Sequence, residues 1–309
     1  MTEFPKIAVI GAGLMGHGIA QVFALQGCAV RIYDPFPESL RTVHDRVRAN
    51  LRALGEDEAA ADRIELLGEI AATVRDADFV IETALENLDL KRKLFAEIEI
   101  SAPAQAIFHS NTSVIPITEI MRELKDRSRG VGTHWWNPPY LVPLVEVVGT
   151  EWTAPEAVAK TMTMLADAGK TPVRVKRDVP GFIGNRMQHA LWREAISMVE
   201  HGICDAEDID TVVKASFGAR LPVLGPLENA DLVGTDLTLA IHETVLADLE
   251  TSGEPSPYLR ELVASGRLGM KSGQGFKSWT PETMAALRAR VTEHLKAARD
   301  KAKSAGAAK

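Results

Sequence analysis

Two residue types that can move a proton stand close together in residues 132–146, "GTHWWNPPYLVPLVE". His134 ends one apolar run, and Glu146 lies twelve residues further on, inside another. An imidazole accepts a proton near neutral pH, and a carboxylate on its second ring nitrogen orients it and stabilises the imidazolium. On these residues alone, a buried structural histidine beside an unrelated glutamate is the simpler interpretation.

A glycine-rich turn near the start of the chain adds a second chemical signal. The pattern Gly11-x-Gly13-x-x-Gly16 stands between a short apolar run and a helical pattern. Its glycines would permit a tight bend, the approach of a pyrophosphate, and close packing of strand and helix. Leu14 and Met15 stand where the helix is expected to begin, and we expect them to bind the cofactor because free N–H groups at a helix start favour phosphates. A glycine turn without a ligand is the alternative.

Asp34 makes the cofactor prediction more specific. It lies eighteen residues after Gly16, at the end of the second apolar run. A carboxylate there accepts hydrogen bonds from a ribose diol. Because it would also repel a 2′-phosphate, we expect NAD rather than NADP.

These residues require a sheet that brings strand ends together. Short apolar runs alternate with helical spacing in the first half of the chain, which is typical of a parallel sheet covered on both faces. We expect strands at 6–10, 29–33, 79–82, 106–109, 130–134 and 144–148, and helices at 15–26, 37–53 and 88–100, with a short acidic helix or loop at 55–62.

The pattern changes near residue 180, after which nearly every segment is helical. We expect helices at 183–200, 206–216, 236–249, 257–264 and 281–301, with a tail from 296 that frays. The fold class is therefore α/β, with a Rossmann-type, doubly wound, mostly parallel sheet (domain 1–180) followed by an all-helical domain (181–309).

The bulk composition excludes several classes of protein. A length of 309 residues suits about two domains. The net charge of −7 argues against nucleic acid as a partner. Cys28 and Cys204 are too few for a disulfide scaffold or a cysteine-rich metal site. Because the sequence shows neither a signal pattern nor an apolar run long enough for a membrane, we expect a cytoplasmic protein that needs no metal.

Six stretches together resemble the 3-hydroxyacyl-CoA dehydrogenase family. They are "GAGLMGHGIA", "ENLDLKRKLF", "SNTSVIPIT", "HWWNPPYLVPLVEV", "VPGFIGNRM" and "GRLGMKSGQGF", and they extend over nearly the whole chain. The resemblance implies an NAD-binding domain, a helical domain that usually forms a homodimer, and an active site in the cleft between them.

The resemblance also implies roles for particular residues. It implies that His134 is the general base and Glu146 its partner. It also implies that Ser113 and Asn185 hold the reacting oxygen, and that Glu86 and Lys91 lie beside the nicotinamide-side ribose. Some of these residues have plainer explanations. Ser113 suits a helix N-cap, Asn185 a capping or packing position, and Lys91 a solvated helix face.

One departure from the acyl-CoA members concerns the substrate. Those enzymes usually carry a lysine-rich helical hairpin that grips the CoA phosphates, whereas this chain has the acidic segment "LRALGEDEAAADRIELLGE". Like charges would repel the phosphates. Arg46, Arg48 and Arg52 keep CoA binding possible, although an exposed helical face explains them as well.

A second departure is Arg220, five residues before Gly225 in "GARLPVLGP". An arginine there resembles the branch that acts on free carboxylates: gulonate 3-dehydrogenase (lambda-crystallin), carnitine dehydrogenase and, with a lysine at this place, a pyridine-carboxylate dehydrogenase. A guanidinium fits a carboxylate with two parallel hydrogen bonds. A surface or structural salt bridge is the alternative. Of Trp135 and Trp136, at most one should face a ligand, because side chains alternate along a strand.

The sequence thus predicts an NAD-dependent dehydrogenase that oxidises a β-hydroxyl on a small hydroxy-carboxylate. His134 would take the proton and Arg220 would anchor the carboxylate. One alternative is a dehydrogenase of 3-hydroxyacyl-CoA thioesters. Another is a non-catalytic structural protein that binds NAD.

Overall fold

A single mixed sheet organises the first part of the protein. The computed structural model describes residues 4–307, in which the strands are β1 (Ile7–Ile10), β2 (Val30–Tyr33), β3 (Ile64–Leu67), β4 (Phe79–Glu82), β5 (Ile107–Ser110), β6 (Gly130–Trp135), β7 (Leu144–Gly149) and β8 (Thr171–Val175). They pair in the order β3-β2-β1-β4-β5-β6-β7-β8. Neighbouring strands run parallel, apart from the antiparallel pair β6 and β7.

Helices cover both faces of this sheet. They are α1 (Leu14–Leu25), α2 (Pro37–Arg41), α3 (Val43–Leu54), α4 (Ile70–Val74), α5 (Leu88–Ser101), α6 (Ile117–Met121) and α7 (Pro155–Asp167). Alternate residues of β1 join different cores: Ile7 and Val9 one, Ala8 and Ile10 the other. This two-sided burial, with the strand order reversing between β1 and β4, confirms the doubly wound class.

The structure corrects the predicted elements at several places. Strands β3 and β8 lie at the two edges of the sheet and were not predicted, because their partly exposed residues break the apolar pattern. The single helix expected at 37–53 is divided into α2 and α3 at Thr42. There the threonine hydroxyl donates to the carbonyls of Glu38 and Ser39, competing with the backbone ladder.

The remaining helices lie mostly in a second compact unit, Met187–Val291, while residues 4–186 and 292–307 form the first. They are α8 (Gly184–Glu200), α9 (Ala206–Ala215), α10 (Pro226–Val233), α11 (Thr235–Val245), α12 (Pro257–Ala264) and α13 (Pro281–Ala307). This helical content is as predicted, and the domain boundary at residue 180 stays a prediction. No helix in the described range is long and apolar enough to cross a membrane.

The expected fraying from residue 296 is wrong for the described part of the tail, since α13 continues to Ala307. Cations on its last turns reach the end of α3. Lys296 Nζ donates to the carbonyl of Ala53 at 2.9 Å, and Arg299 lies 3.3 Å from the Glu56 carboxylate. Cations favour a helix C-terminus, so these contacts hold the tail in helical form.

Candidate active site

His134 and Glu146 stand directly opposite each other on the antiparallel strands β6 and β7. Their side chains lie on the same face, because directly opposed residues share a face of the sheet. His134 Nδ1 lies 2.8 Å from Glu146 Oε2, and the two residues are only 4% and 1% exposed. The structure therefore brings together the two groups that the sequence proposed as a pair.

The second carboxylate oxygen of Glu146 is fixed by the turn after residue 180. Its Oε1 accepts hydrogen bonds from the N–H groups of Ile183 at 2.8 Å and Gly184 at 3.0 Å. Burial alone would raise the pKa of Glu146, but the hydrogen bonds from His134 and these N–H groups hold it below its usual value. The carboxylate thus stays ionised, and its imidazole neighbour carries a proton on Nδ1.

Two aromatic rings enclose the imidazole. The rings of Trp136 and Phe182 have centroids 5.2 Å and 5.7 Å from that of His134. Trp135 is buried in the core instead, so only one of the two tryptophans borders the site, as expected. Phe182 adopts a left-handed backbone with φ of 51°, a strained conformation that is often found at functional sites.

Ser113 lies in the turn after β5, at the carboxyl edge of the sheet. Its expected N-cap alternative is not observed, because the hydroxyl of Thr112 takes the N–H of Ile115. The Asn185 amide donates to the carbonyl of Ser113 at 2.9 Å, instead of capping its own helix. Ser113 and Asn185 are therefore neighbours, and the serine hydroxyl makes no hydrogen bond within the described residues.

The Glu86 carboxylate accepts hydrogen bonds from the turn after β5. Its Oε1 accepts from the N–H groups of Ser113 at 3.0 Å and Val114 at 3.1 Å, and from the Thr112 hydroxyl. Burial opposes ionisation, yet these donors and Lys91 keep the pKa of Glu86 below its ordinary value. The expected contact of Glu86 with the ribose stays a prediction.

Lys91 corrects an alternative left open by the sequence. A solvated helix face is wrong, because the side chain is fully buried with its Nζ 2.7 Å from Glu82 Oε1. The other oxygen of Glu82 accepts from the Ser110 hydroxyl at 2.7 Å. Sequence reasoning missed Glu82 and Ser110, although both are polar residues that end apolar runs on neighbouring strands.

The glycine-rich turn fits a dinucleotide. A Cβ on Gly16 would stand 1.8 Å from the carbonyl oxygen of Gly11, which itself has φ of 110°, so both positions require glycine. A Cβ on Gly13 would meet nothing within 4 Å, which leaves open space where a pyrophosphate would approach. Leu14 and Met15 lie in the first turn of α1, as expected.

Asp34 lies at the end of β2 and is almost fully buried. Its Oδ2 accepts from the N–H of Ala12 at 2.7 Å, and its Oδ1 accepts from the N–H of Phe36 at 2.9 Å. These bonds join the glycine-rich turn to the segment after β2. The Asp34 carboxylate therefore lies next to the glycine-rich turn, as the sequence predicted.

Arg220 belongs to the second compact unit, immediately after the short 3-10 helix Phe217–Ala219. It is exposed, and its guanidinium makes no salt bridge within the described part of the chain. The structural salt bridge considered above is therefore not observed. Its role as a carboxylate anchor stays a prediction.

Models of the 3-hydroxyacyl-CoA dehydrogenase family match both parts of the chain. The NAD-binding domain matches residues 6–179, and the C-terminal domain matches residues 181–279. Together these two matches account for most of the sequence.

Similar proteins include enzymes named for free carboxylates and for CoA thioesters. A 5-formyl-3-hydroxy-2-methylpyridine 4-carboxylate 5-dehydrogenase of Mesorhizobium japonicum is 37% identical over 95% of this chain and 97% of its own. A crystal structure of an enzyme with that activity gives a TM-score of 0.89 at 35% identity, covering 96% of this chain and 97% of the other.

Two other relatives illustrate the two substrate classes. An L-carnitine dehydrogenase of Streptomyces griseus is 41% identical over 74% of this chain and 70% of its own. A probable 3-hydroxyacyl-CoA dehydrogenase of Caenorhabditis elegans is 38% identical over 89% and 93%. Similarity in sequence thus leaves the substrate class open.

Proposed function

The chain belongs to the 3-hydroxyacyl-CoA dehydrogenase family, and we propose that it oxidises the β-hydroxyl of a small hydroxy-carboxylate. It is an NAD-dependent dehydrogenase that acts on hydroxyl donors. NAD, when bound, would supply the acceptor for the hydride that leaves the carbinol carbon. The buried His134–Glu146 pair is the observation that carries the catalytic part of the proposal.

His134 is the proposed general base. Its Nδ1–H donates to Glu146, which leaves Nε2 as the nitrogen with a free lone pair. Nε2 makes no hydrogen bond to any residue that the structure describes. As hydride leaves the carbon, the hydroxyl proton passes to Nε2, and the Glu146 carboxylate stabilises the imidazolium that forms.

Ser113 and Asn185 are proposed to hold the reacting oxygen. The Ser113 hydroxyl has no partner among the described residues and is exposed, so it is free to donate to a substrate. Asn185 and Glu86 fix the backbone on either side of it. A positioned donor of this kind stabilises charge on the oxygen as hydride and proton separate.

The arrangement of charges around α3 favours a small acid over a CoA thioester. Arg48 pairs with Asp62 at 2.5 Å, and Arg52 pairs with Glu58 at 2.7 Å. A CoA phosphate would have to displace these carboxylates in a segment rich in acids. Some relatives are named for free carboxylates, so the family includes enzymes of this substrate class. Arg220, which is exposed and forms no salt bridge with any residue that the structure describes, is the proposed anchor.

A substrate panel tests the proposal. NADH formation is measured at 340 nm with free hydroxy acids such as L-carnitine, gulonate and 3-hydroxybutyrate, and with 3-hydroxybutyryl-CoA. We expect the highest kcat/KM with a free acid, and an Arg220→Gln variant should raise its KM about tenfold or more. Turnover of the thioester far above that of every free acid would refute the substrate class while leaving His134 as the base.

Quaternary structure and location complete the proposal. We propose a homodimer, which is supported by the exposure of large apolar side chains in the second unit, such as Leu227 and Leu232. Sedimentation of the purified protein at micromolar concentration tests it. Cys28 and Cys204 are both free thiols, as suits the cytoplasm.

A further inference from the structure

Three consecutive carbonyl groups of the glycine-rich turn are held by three different side chains. The Thr83 hydroxyl donates to Gly11 at 3.1 Å, and Arg46 Nη2 donates to Ala12 at 2.8 Å. His17 Nδ1 lies 2.7 Å from the carbonyl oxygen of Gly13. In a trans peptide the C=O of one residue and the N–H of the next point in opposite directions. A side chain that holds the carbonyl oxygen therefore points the N–H of the following residue away from that side chain.

The hydrogen bonds to these carbonyls therefore determine which N–H groups of the turn face the cofactor. The bond from Arg46 to Ala12 directs the N–H of Gly13, and the bond from His17 to Gly13 directs the N–H of Leu14. Both lie at the N-terminal end of α1, where the N–H groups have no partner within the helix. The sequence singled out the glycines and the first helical residues, but not the side chains that orient them.

His17 acts as a donor in this arrangement. Two acceptors would repel each other at 2.7 Å, so Nδ1 carries the proton, while Nε2 accepts from the Asn50 amide at 3.4 Å. The Arg46 Nη1 that lies 3.1 Å from Nδ1 therefore faces an N–H and makes no hydrogen bond with it. Burial, assisted by the charge of Arg46, lowers the pKa of His17 and keeps the ring neutral.

Arg46 also joins the turn to a second cofactor element. The same Nη2 donates to the carbonyl of Ser39 at 2.8 Å, in α2, which follows Asp34. Arg46 is partly buried by these contacts, unlike Arg52, whose side chain is 70% exposed. An exposed helical face, the alternative given for all three arginines, is therefore wrong for Arg46.

We propose that Arg46 and His17 are positioning residues for NAD: they hold the carbonyls of Ala12 and Gly13 so that the N–H groups of the turn face the pyrophosphate. Arg46 contributes through two directed hydrogen bonds as well as through its charge. The proposal concerns cofactor binding alone, so it stands or falls independently of the substrate.

The test compares NADH binding by calorimetry in full-length variants. Arg46→Ala should weaken binding about tenfold, the loss typical of a hydrogen bond from a charged donor. Its kcat at saturating NAD should stay near the wild-type value, because the proton-transfer groups are untouched. Arg48→Ala and Arg52→Ala, on the same helix, are matched controls that should bind NADH within twofold of wild type.

Arg46→Lys separates geometry from charge. The ammonium keeps the charge but lacks the planar fork, so most of the tenfold loss should remain. Full affinity in this variant, or an unchanged affinity in Arg46→Ala, would overturn the proposal. Should Arg46→Ala unfold, as thermal melting without cofactor would show, His17→Ala provides the same comparison, and wild-type affinity there would also overturn it.

Discussion

Replacing Glu146 by glutamine probes the geometry of the pair most sharply. The carboxylate accepts three hydrogen bonds: from His134 Nδ1 at 2.8 Å, from Ile183 N–H at 2.8 Å and from Gly184 N–H at 3.0 Å. A glutamine has one acceptor oxygen and one NH₂ group. If its oxygen keeps the two backbone donors, its NH₂ faces Nδ1 and forces the proton onto Nε2.

That tautomer has no lone pair with which Nε2 can accept the substrate proton. The opposite amide orientation places an NH₂ against two N–H donors, which leaves buried donors unpaired at a cost of about 1–3 kcal/mol each. We therefore expect Glu146→Gln to lower kcat about 10³-fold, equivalent to about 4 kcal/mol in the barrier. Binding of NADH should change less than twofold.

The assay is steady-state NADH formation with the best acid of the panel, alongside calorimetry of NADH binding. Glu151→Gln provides the matched control, since Glu151 is exposed and its carboxylate accepts no hydrogen bond within the described residues. A Glu146→Gln enzyme with more than about a tenth of wild-type kcat would refute the assignment of the proton to Nδ1.

Two further predictions concern Asp34 and His109. Asp34→Asn removes the charge that repels a 2′-phosphate, so the ratio of kcat/KM for NAD to that for NADP should fall at least about tenfold. Asp45→Asn, at an exposed position, is the control. An unchanged ratio in Asp34→Asn would contradict the role of Asp34. Burial lowers the pKa of His109 to about 3. As the pH falls from 6.5 to 4, only the unfolded state therefore takes up a proton at this residue. The free energy of unfolding should fall by up to about 1.4 kcal/mol per pH unit over this range. His109→Phe removes this contribution, and urea titrations at pH 7, 6 and 5 should show a shallower decline; parallel curves would contradict it.

The sequence predicted the central sheet because its strands are buried on both faces. The residues of β1 are all apolar and those of β4 are apolar up to Glu82, whereas the edge strands β3 and β8 are partly exposed and lose that pattern. The glycine-rich turn was equally predictable from the sequence, since a glycine triplet between a strand and a helix depends only on local geometry. Local rules therefore accounted for most of the fold.

Side-chain contacts between distant segments were harder to anticipate. Lys91 has the spacing of a solvated residue, and the carboxylates of Glu82, at the end of β4, and of Glu86 make its burial possible. Arg46 resembles its neighbours Arg48 and Arg52 in sequence, yet it alone reaches the carbonyl of Ala12. Such partners are set by tertiary packing, which helical periodicity does not encode.

The pairing of His134 with Glu146 lies between these two cases. Their positions on adjacent strands were predictable, but the exact register depends on how the segment from 136 to 143 joins β6 to β7. A shift of one residue would have turned the glutamate to the other face of the sheet. The resemblance to a family, more than the residues alone, favoured the pair over an unrelated histidine.

The most direct test of the catalytic account is single-turnover NADH formation by His134→Ala, with NADH affinity measured on the same preparation. If the imidazole accepts the substrate proton, the rate should fall by about 10²–10⁴-fold while NADH binds as in the wild type. A wild-type rate in this variant would contradict the account and assign the proton to another group.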